Sequence, residues 1–493
     1  MFPDFTLQEV NEVLLRSQQA FQHYRNTPLQ TRARFLRSIA EGMEQLGDRL
    51  IHTAMAETHL PEARLRSERA RTLFQLRSYA DACERGDWLE CTIDTAGHVS
   101  ATQPDLRKMH IPLGPVVVFG ASNFPLAYST AGGDTASALA AGCTVVVKAH
   151  PAHPQTSHLV ADMILQQAAF LNLPEGVFQH VYGKSFEVGK ALVQHPATAA
   201  VGFTGSLSGG RQLFDWANQR SNPIPVFAEM GSVNPIFLLP AQLAANPAGI
   251  AEKLAASITL GVGQFCTNPG LIIGIADAAL QQFVHDLGRH IQQTAPGTML
   301  HSGIVAAYKT KKGEALLQEG VHLVAESEQE VQPGQGLPTV ATVRAADFIK
   351  NPLLHEEIFG PFSLVVQCSN MDEMHAVARQ LQGQLTATVW GTDAELQQHA
   401  PLLQLLQQRC GRFICNGVPT GVEVCLSMQH GGPYPATTDS RFTAVGADAI
   451  RRFARPLCFQ NWPDHLLPEA LRNANPLQLL RRVNNTYTRQ PLP

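Results

Sequence analysis

A single cysteine in a glycine-rich turn carries the strongest sign of chemistry in this sequence. Cys266 lies in residues 263–270, which read GQFCTNPG. Glycine, proline and small polar residues interrupt helices and strands, so the segment predicts a turn facing a cleft. Most free cysteines are buried and inert, whereas a nucleophilic thiol must be accessible and able to lose its proton. The setting of Cys266 favours a covalent catalytic role over a place in the core.

Groups that could assist such a nucleophile occur on other loops. Asn123, in the segment GASNFP, offers a neutral amide donor suited to an oxyanion, although a turn asparagine can also cap its own backbone. Glu229 follows an apolar run and could act as a general base. Taken singly, each residue is commonly structural. Their combination with Cys266 predicts a catalytic site.

Further loops carry groups suited to a nucleotide. Lys148 ends an apolar run and suits a ribose or phosphate, or is a solvated cation. Gly205 and Ser206 open a helical segment, where small residues let a pyrophosphate approach backbone N–H groups. The segment lacks the GxGxxG spacing and is weak evidence alone. Glu357 could bind ribose hydroxyls while Phe359 packs against a flat ring.

Alternating apolar runs and helical segments must position these loops. The first hundred residues show helical spacing, and short β-branched runs alternate with helices from residue 114 onward. Such a pattern predicts a parallel sheet covered on both faces, with ligands at the carboxyl ends of its strands. The expected strands are 116–119, 145–147, 177–178, 199–203, 234–239, 271–275, 363–366 and 386–390.

Composition limits the class of protein. The 493 residues are 44% hydrophobic and 16% charged with a net charge of -4, which predicts two or three globular domains and no nucleic-acid surface. Nine cysteines without a CxxC pair exclude a disulfide framework and argue against a cysteine zinc site, so we expect no metal. Neither a signal peptide nor an apolar run of membrane-spanning length is evident, which predicts a cytoplasmic protein without a membrane partner.

These motifs, in this order over nearly the whole chain, resemble those of the aldehyde dehydrogenase superfamily. The resemblance implies that Cys266 forms a thiohemiacetal with an aldehyde. Asn123 and the backbone N–H of Cys266 would form the oxyanion hole, and Glu229 would activate the water that hydrolyses the thioester. Lys148, Gly205, Ser206, Glu357 and Phe359 would bind NADP or NAD.

The resemblance also implies an α/β fold with a defined domain order. A Rossmann-like dinucleotide-binding domain would comprise residues 1–93 and 113–231, and an α/β catalytic domain residues 232–450. Residues 94–112 and 455–463 would form a small β element for assembly into a homodimer or homotetramer. Residues 464–493 would form a C-terminal extension.

The chain departs from the common family pattern in ways that indicate a branch. Ala121-Ser122 replaces Pro-Trp, Ser232 replaces a second glycine, and Lys148-Ala149-His150-Pro151 replaces Lys-Pro-x-Glu. These variants resemble the ketoglutarate semialdehyde (2,5-dioxopentanoate) dehydrogenases and the NADP-dependent fatty aldehyde dehydrogenase. Pro151 removes a glutamate that would repel a 2′-phosphate, so we expect NADP to be preferred over NAD.

The expected substrate is 2,5-dioxopentanoate, which would yield 2-oxoglutarate. A long-chain aldehyde is the alternative. The first substrate needs a cation for its distal carboxylate, and Arg441 is a candidate donor or simply a solvated or structural arginine. A CoA-acylating enzyme has little use for a general base, so Glu229 argues against it. An inactive family member is a further alternative, which retention of Cys266, Asn123 and Glu229 disfavours.

Overall fold

The computed structural model describes residues 2–492 and begins with a layer of helices. Helix α1 begins after Thr6, whose hydroxyl accepts from the backbone N–H of Glu9 while the Glu9 carboxylate accepts from that of Thr6. The apolar residues Val10, Val13 and Leu14 of the predicted pattern are buried. The helices of this layer are α1 (Leu7–Tyr24), α2 (Leu29–Gln45), α3 (Gly47–Thr58) and α4 (Glu62–Arg85).

The strands β1 (Thr92–Asp94) and β2 (Leu106–Pro112) then form an antiparallel pair. The first α/β unit follows as alternating strands and helices. Its elements are β3 (Val116–Phe119), α5 (Gly133–Ala141), β4 (Val145–Lys148), α6 (Pro154–Phe170), β5 (Phe178–Val181), α7 (Phe186–Gln194), β6 (Ala200–Thr204), α8 (Leu207–Asn218) and β7 (Val226–Glu229).

This unit is a parallel, doubly wound sheet with the strand order β5-β4-β3-β6-β7. Valines fill β3 and β4 because both faces of the sheet are covered by helices. The chain turns from one direction to the other at β3, which lies between β4 and β6. A crevice for ligands opens at such a point, beyond the carboxyl ends of the strands. The loops after β3, β6 and β7 carry Asn123, Gly205 and Met230, and Lys148 is the last residue of β4.

A second α/β unit comprises residues 236–415. Its elements are β8 (Ile236–Leu238), α9 (Pro240–Ala245), α10 (Pro247–Thr259), β9 (Leu271–Ile275), α11 (Ala278–Gln293), β10 (Gly297–Thr298), α12 (Ser302–Leu316), β11 (His322–Glu326), β12 (Gln335–Gly336), β13 (Thr339–Arg344), α13 (Ala345–Lys350), β14 (Phe362–Cys368), α14 (Met371–Gln380), β15 (Gln384–Trp390), α15 (Asp393–Gln398), α16 (Ala400–Gln407) and β16 (Cys410–Cys415).

The strands of this second unit form a sheet in the order β11-β13-β14-β9-β8-β15-β16, in which only β11 runs antiparallel to its neighbour among the described strands. Strand β8 is shorter than the expected 234–239. Asn234 has a left-handed φ of 47° and Pro235 has no N–H to donate, so the pairing begins at Ile236. The α/β fold predicted from the sequence is confirmed.

The remaining strands complete the sheet that β1 and β2 begin. They are β17 (Ala454–Gln460), β18 (Arg481–Val483) and β19 (Thr486–Thr488). The order is β17-β2-β1-β18-β19, with β1 and β18 parallel. Residues 464–493 were expected as an extension, but the described part of them adds β18 and β19 to this sheet. No helix within residues 2–492 is long and apolar enough to cross a membrane.

Candidate active site

The loop that carries Cys266 has an unusual backbone. Gly261, Val262 and Gly263 all have left-handed φ values, of 55°, 59° and 64°. Such a value is rare for a β-branched residue, and strain of this kind is characteristic of functional loops. A Cβ on Gly263 would overlap the carbonyl group of Gly360, so the two loops touch through their main chains. The glycine is needed for both the conformation and the contact.

A buried asparagine holds the other side of this loop. Asn234 donates from Nδ2 to the carbonyl oxygens of Cys266 and Asn268, each at 2.9 Å. Its Oδ1 accepts from the hydroxyls of Ser232 at 3.0 Å and Thr386 at 3.1 Å. Ser232, which departs from the family pattern, therefore joins β15 to the nucleophile loop. Sequence analysis did not single out Asn234, although an Asn-Pro pair after a Gly-Ser turn marks a specialised backbone.

Glu229, His430 and Cys266 converge on one point. The Sγ atom of Cys266 lies 3.7 Å from Nε2 of His430, which lies 3.1 Å from Oε1 of Glu229. His430 and Glu229 are 2% and 4% exposed, so the interaction is shielded from water. His430 is close to Glu229, but the two groups are not aligned for a hydrogen bond. Within residues 2–492 neither carboxylate oxygen of Glu229 has a hydrogen-bond partner. A buried carboxylate with free lone pairs is ready to accept a proton.

His430 was not predicted from the sequence. It directly precedes the segment Gly431-Gly432-Pro433. The backbone of this region closes over Glu229. The N–H of Met230 donates to the carbonyl of Ala436 at 2.8 Å, and the N–H of His430 donates to the hydroxyl of Thr443 at 3.0 Å. The only sign of His430 in the sequence was its position directly before a glycine- and proline-containing turn.

The thiol of Cys266 is protonated in this resting arrangement. Burial raises its pKa, and the negative charge of Glu229 raises it further. The carboxyl of Glu357 acts in the same direction, while Arg412 opposes it. Reaction therefore requires a nearby group that accepts the thiol proton when substrate arrives.

Asn123 lies close to the nucleophile loop. Its Nδ2 donates to the carbonyl of Gln264 at 3.2 Å, which leaves a second N–H of the same amide for another acceptor. The carbonyl oxygen of Asn123 accepts from Arg64 at 2.7 Å. The side chain of Asn123 is 8% exposed, so a donor there faces little competition from water.

An inner cavity of about 410 Å³ brings together the residues predicted from the sequence. Some of these residues lie at the carboxyl ends of β3, β6 and β7, whereas the loops of Cys266 and Glu357 precede β9 and β14. The predicted residues that line it are Asn123, Gly205, Ser206, Glu229, Cys266, Glu357 and Phe359.

An outer cleft of about 480 Å³, lined by Lys148, Lys184, Gln212 and Trp216 among others, adjoins the inner cavity. Both are lined by Ser206. Ser206 caps α8 by accepting from the N–H of Gly209 at 3.2 Å, so the start of this helix borders both spaces. A Cβ on Gly205 would lie 2.6 Å from the Phe203 ring, and the loop consequently presents backbone rather than side chains. These features fit a dinucleotide with its phosphates at the helix N-terminus.

Glu357 is held at the edge of the inner cavity. Burial raises the pKa of its carboxyl to about 7, while hydrogen bonding from the Ser232 backbone and the charge of Lys311 oppose that rise. The ammonium of Lys311 donates to the carbonyl oxygen of Glu357 at 3.2 Å. A buried carboxyl with a raised pKa can accept hydrogen bonds from the sugar hydroxyls of a bound ligand.

An arginine cavity of about 570 Å³ reaches Cys266 from another direction. It is lined by Arg64, Ser67, Glu68, Ala70, Arg71, Phe74, Phe124, Tyr128, Phe265, Cys266, Thr267 and residues 421–424. Cys266 lines this space and the inner cavity alike. The candidate role of Arg441 was wrong: its side chain is 79% exposed, pairs with Asp439 two residues earlier, and lines none of these three spaces.

A model of the aldehyde dehydrogenase family matches residues 1–441. This chain belongs to that family. The protein is therefore an aldehyde-oxidising oxidoreductase, and members of the family use NAD or NADP.

Curated relatives cover nearly the whole chain. The chain is 48% identical over 464 residues to alpha-ketoglutaric semialdehyde dehydrogenase 2 of Azospirillum brasilense, covering 94% of this chain and 88% of the relative. It is 44% identical over 491 residues to alpha-ketoglutaric semialdehyde dehydrogenase of Acinetobacter baylyi, covering 99% and 93%.

Solved structures share the fold at lower identity. A 1-pyrroline-5-carboxylate dehydrogenase from Thermus with bound NAD superposes with a TM-score of 0.77 at 22% identity, over 93% of this chain and 86% of that one. A 3,6-anhydro-L-galactose dehydrogenase gives 0.79 at 22% identity, over 93% and 92%.

Proposed function

We propose that the protein oxidises 2,5-dioxopentanoate to 2-oxoglutarate with NADP or NAD as the oxidant. The curated relatives from A. brasilense and A. baylyi, by name, act on this semialdehyde. The structural observation that supports the proposal is the position of Cys266 between the inner cavity and the arginine cavity. One space holds the acid–base groups, and the other holds cations for an anionic substrate.

The first chemical step is attack of the Cys266 sulfur on the aldehyde carbon. The thiol proton passes to Nε2 of His430, 3.7 Å away, and the Glu229 carboxylate stabilises the resulting imidazolium. The carbonyl oxygen becomes an oxyanion that accepts from the free N–H of the Asn123 amide and from the backbone N–H of Cys266. Gly205, Ser206, Glu357 and Phe359 would hold NAD or NADP, which would supply the hydride acceptor needed to convert the thiohemiacetal to a thioester.

The second step is hydrolysis of the thioester. Glu229 accepts a proton from water, whose oxygen bonds to the thioester carbon. The Cys266 sulfur leaves and takes back the proton held by His430. The carboxylate product, the reduced cofactor and the protons released account for all atoms and electrons. Within residues 2–492 the Glu229 oxygens have no competing hydrogen-bond donor, which favours this role.

The outer cleft supports a preference for NADP. Lys148 and Lys184 line it, and among the described residues no aspartate or glutamate does. Asp4, the nearest carboxylate, accepts from the backbone N–H groups of Lys184 and Ser185 at 2.8 and 3.0 Å and lies outside the lining. A 2′-phosphate would therefore meet cations without a facing anion.

The small sheet supports assembly into a homodimer or homotetramer. Its outermost strands, β17 and β19, each have an edge that is unpaired within residues 2–492. Backbone groups on such an edge can pair with a second copy of the chain. Light scattering of the purified protein measures the assembly, and a monomeric mass would contradict it.

The proposal is tested by following reduced-cofactor formation with 2,5-dioxopentanoate, pentanal and dodecanal, each with and without CoA. We expect the highest kcat/KM for 2,5-dioxopentanoate, no acceleration by CoA, and 2-oxoglutarate as the product. A clear preference for dodecanal would replace this substrate with a fatty aldehyde. Strict dependence on CoA would contradict hydrolysis by Glu229.

A further inference from the structure

Helix α4 places guanidinium groups in the arginine cavity beside the nucleophile. Arg64 and Arg71 both line this space together with Cys266. Within residues 2–492 neither arginine forms an ion pair, and each has a buried terminal nitrogen, Nη1 of Arg64 and Nη2 of Arg71, without a hydrogen-bond partner. Burying a cationic donor without an acceptor costs free energy, so these two nitrogens indicate that the cavity binds an anion.

The rest of the Arg64 side chain is committed to the protein. Its guanidinium lies 4.9 Å from the ring centre of Phe124 and 4.6 Å from that of Phe265. Its Nη2 donates to the carbonyl of Asn123 at 2.7 Å. Arg64 is thus a positioning residue for the oxyanion loop and for the residue before Cys266.

Arg71 is held on one side only. Its Nη1 donates to the carbonyl of Val422, while Nη2 remains free. Tyr128, another lining residue, lies close enough to both Arg71 and Cys266 for each to perturb its pKa, which burial raises first. Arg71, Tyr128 and Cys266 therefore border the same cavity.

Two carboxylates of the protein, Glu68 and Glu423, line the same space, and within residues 2–492 neither forms an ion pair with Arg71. The Oε1 atom of Glu68 accepts from the backbone N–H groups of Leu126 and Ala127 at 2.8 and 2.9 Å. Burial raises the pKa of the Glu68 carboxyl, while the charges of Arg64 and Arg71 lower it. Arg412 adds a further cation nearby and donates to the carbonyl of Gly421 at 2.7 Å, which fixes the segment that Arg71 contacts.

We propose that Arg71 binds the distal carboxylate of the substrate through Nη2 and so determines selection of ω-oxo acids over neutral aldehydes. This inference rests on the proposed function, because it names the residue that recognises that substrate. A guanidinium with one terminal nitrogen fixed and the other free presents a directed donor to a carboxylate. Arg71 thereby acts in binding, whereas Arg64 acts through the loop it holds.

The test compares 2,5-dioxopentanoate, 5-oxopentanoate and pentanal as substrates of the wild-type protein, Arg71→Met and Arg71→Lys. Arg77→Met is the matched control, because Arg77 lies on the same helix, pairs with Glu44 at the surface and loses the same charge. We expect Arg71→Met to lower kcat/KM for both oxo acids by about 10- to 100-fold, mainly through KM, since a hydrogen bond to a charged group is lost.

Pentanal should be oxidised by Arg71→Met within about threefold of the wild-type rate, because it has no carboxylate to lose. Arg71→Lys should recover part of the oxo-acid rate, and Arg77→Met should match the wild type. An equal loss for pentanal and the oxo acids in Arg71→Met would overturn the inference by assigning Arg71 a structural role. If Arg71→Met still prefers oxo acids to pentanal, the inference about Arg71 is also overturned, while the proposed function remains.

The wild-type protein separates the two proposals. If it oxidises 5-oxopentanoate well and 2,5-dioxopentanoate poorly, and Arg71→Met loses the former, the substrate assignment fails and the role of Arg71 stands. If pentanal is preferred to both oxo acids, the role of Arg71 fails together with the substrate.

Discussion

The inner cavity and the arginine cavity meet at Cys266 but are built differently. The inner cavity is made mainly from loops next to the strands of the two sheets, with one side supplied by α12. The arginine cavity is made largely from one face of α4 and the segment 421–424. The first arrangement fixes reacting atoms to a rigid sheet, as bond-making requires. The second presents long side chains, which suits recognition of a substrate's distant end. Changes in the inner cavity should therefore affect every aldehyde, and changes in the arginine cavity only one class.

The largest effect is expected for Cys266→Ala, because Cys266 belongs to both spaces. Oxidation of 2,5-dioxopentanoate and pentanal should both fall by at least about 10³-fold, the scale seen when a nucleophile is removed. Calorimetric titration with NADP should show nearly unchanged affinity. Cys458→Ala, at an exposed position on β17, serves as the control and should behave as wild type. Substantial turnover by Cys266→Ala would remove the covalent mechanism.

Glu229→Gln should uncouple the two chemical steps. A rapid burst of reduced cofactor should remain, followed by turnover slowed about 10²- to 10⁴-fold, since the amide cannot take a proton from water. The factor should be equal for oxo acids and pentanal, because the thioester carbon is the same in both. Rapid-mixing absorbance at the reduced-cofactor band measures burst and steady state together. Loss of the burst in proportion to the steady rate would assign Glu229 to thiol activation.

The same variant tests the electrostatics of the resting thiol. Burial and the Glu229 charge raise the pKa of Cys266, so little thiolate exists at neutral pH and alkylation by iodoacetamide should accelerate as pH rises. Removing the negative charge lowers that pKa. Iodoacetamide should therefore inactivate Glu229→Gln faster than the wild type at pH 8. Slower alkylation would show that Glu229 instead removes the thiol proton.

The smallest effects are expected in the outer cleft, where only the choice of cofactor should change. Lys184→Ala should lower kcat/KM for NADP about tenfold through the loss of a charged hydrogen bond, with less than about a twofold change for NAD. Pro151→Glu should shift preference toward NAD by placing a carboxylate beside the 2′-phosphate. The exposed Lys190 on α7 provides the matched alanine control. Equal losses with both cofactors would contradict a phosphate contact.

Local sequence patterns predicted most of the inner cavity. Parallel strands bring their carboxyl ends to one edge, so Asn123, Lys148 and Glu229 were expected near each other before any coordinates. His430 and Asn234 were missed because their contacts cross between separate parts of the chain. A local sequence pattern shows the spacing of residues within one helix or strand. It does not show which residues distant in sequence will be in contact.

The arginine cavity could not be predicted, for a related reason. Helix α4 contains several arginines, and Arg71 and Arg77 are alike in sequence terms. Only the packing of α4 against residues 421–424 distinguishes the first, which faces the cavity, from the second, which pairs with Glu44. For Arg441 the sequence left a substrate donor and a solvated arginine open, and the structure agrees with the second, because Asp439 binds its guanidinium in a local ion pair.

The main-chain contact between Gly263 and Gly360 links two binding events. Residues on one side of it lead to the nucleophile, and those on the other include Glu357 and Phe359. Because the atoms in contact belong to the backbone, a movement of either loop displaces the other. Coupling between two sites is reciprocal. If cofactor binding changes the position of the Cys266 thiol, then a change at the thiol alters the affinity for the cofactor by the same factor. Cofactor affinity should therefore respond to a modification of Cys266 that displaces its loop, whereas Cys266→Ala, which leaves the loop in place, should not change it.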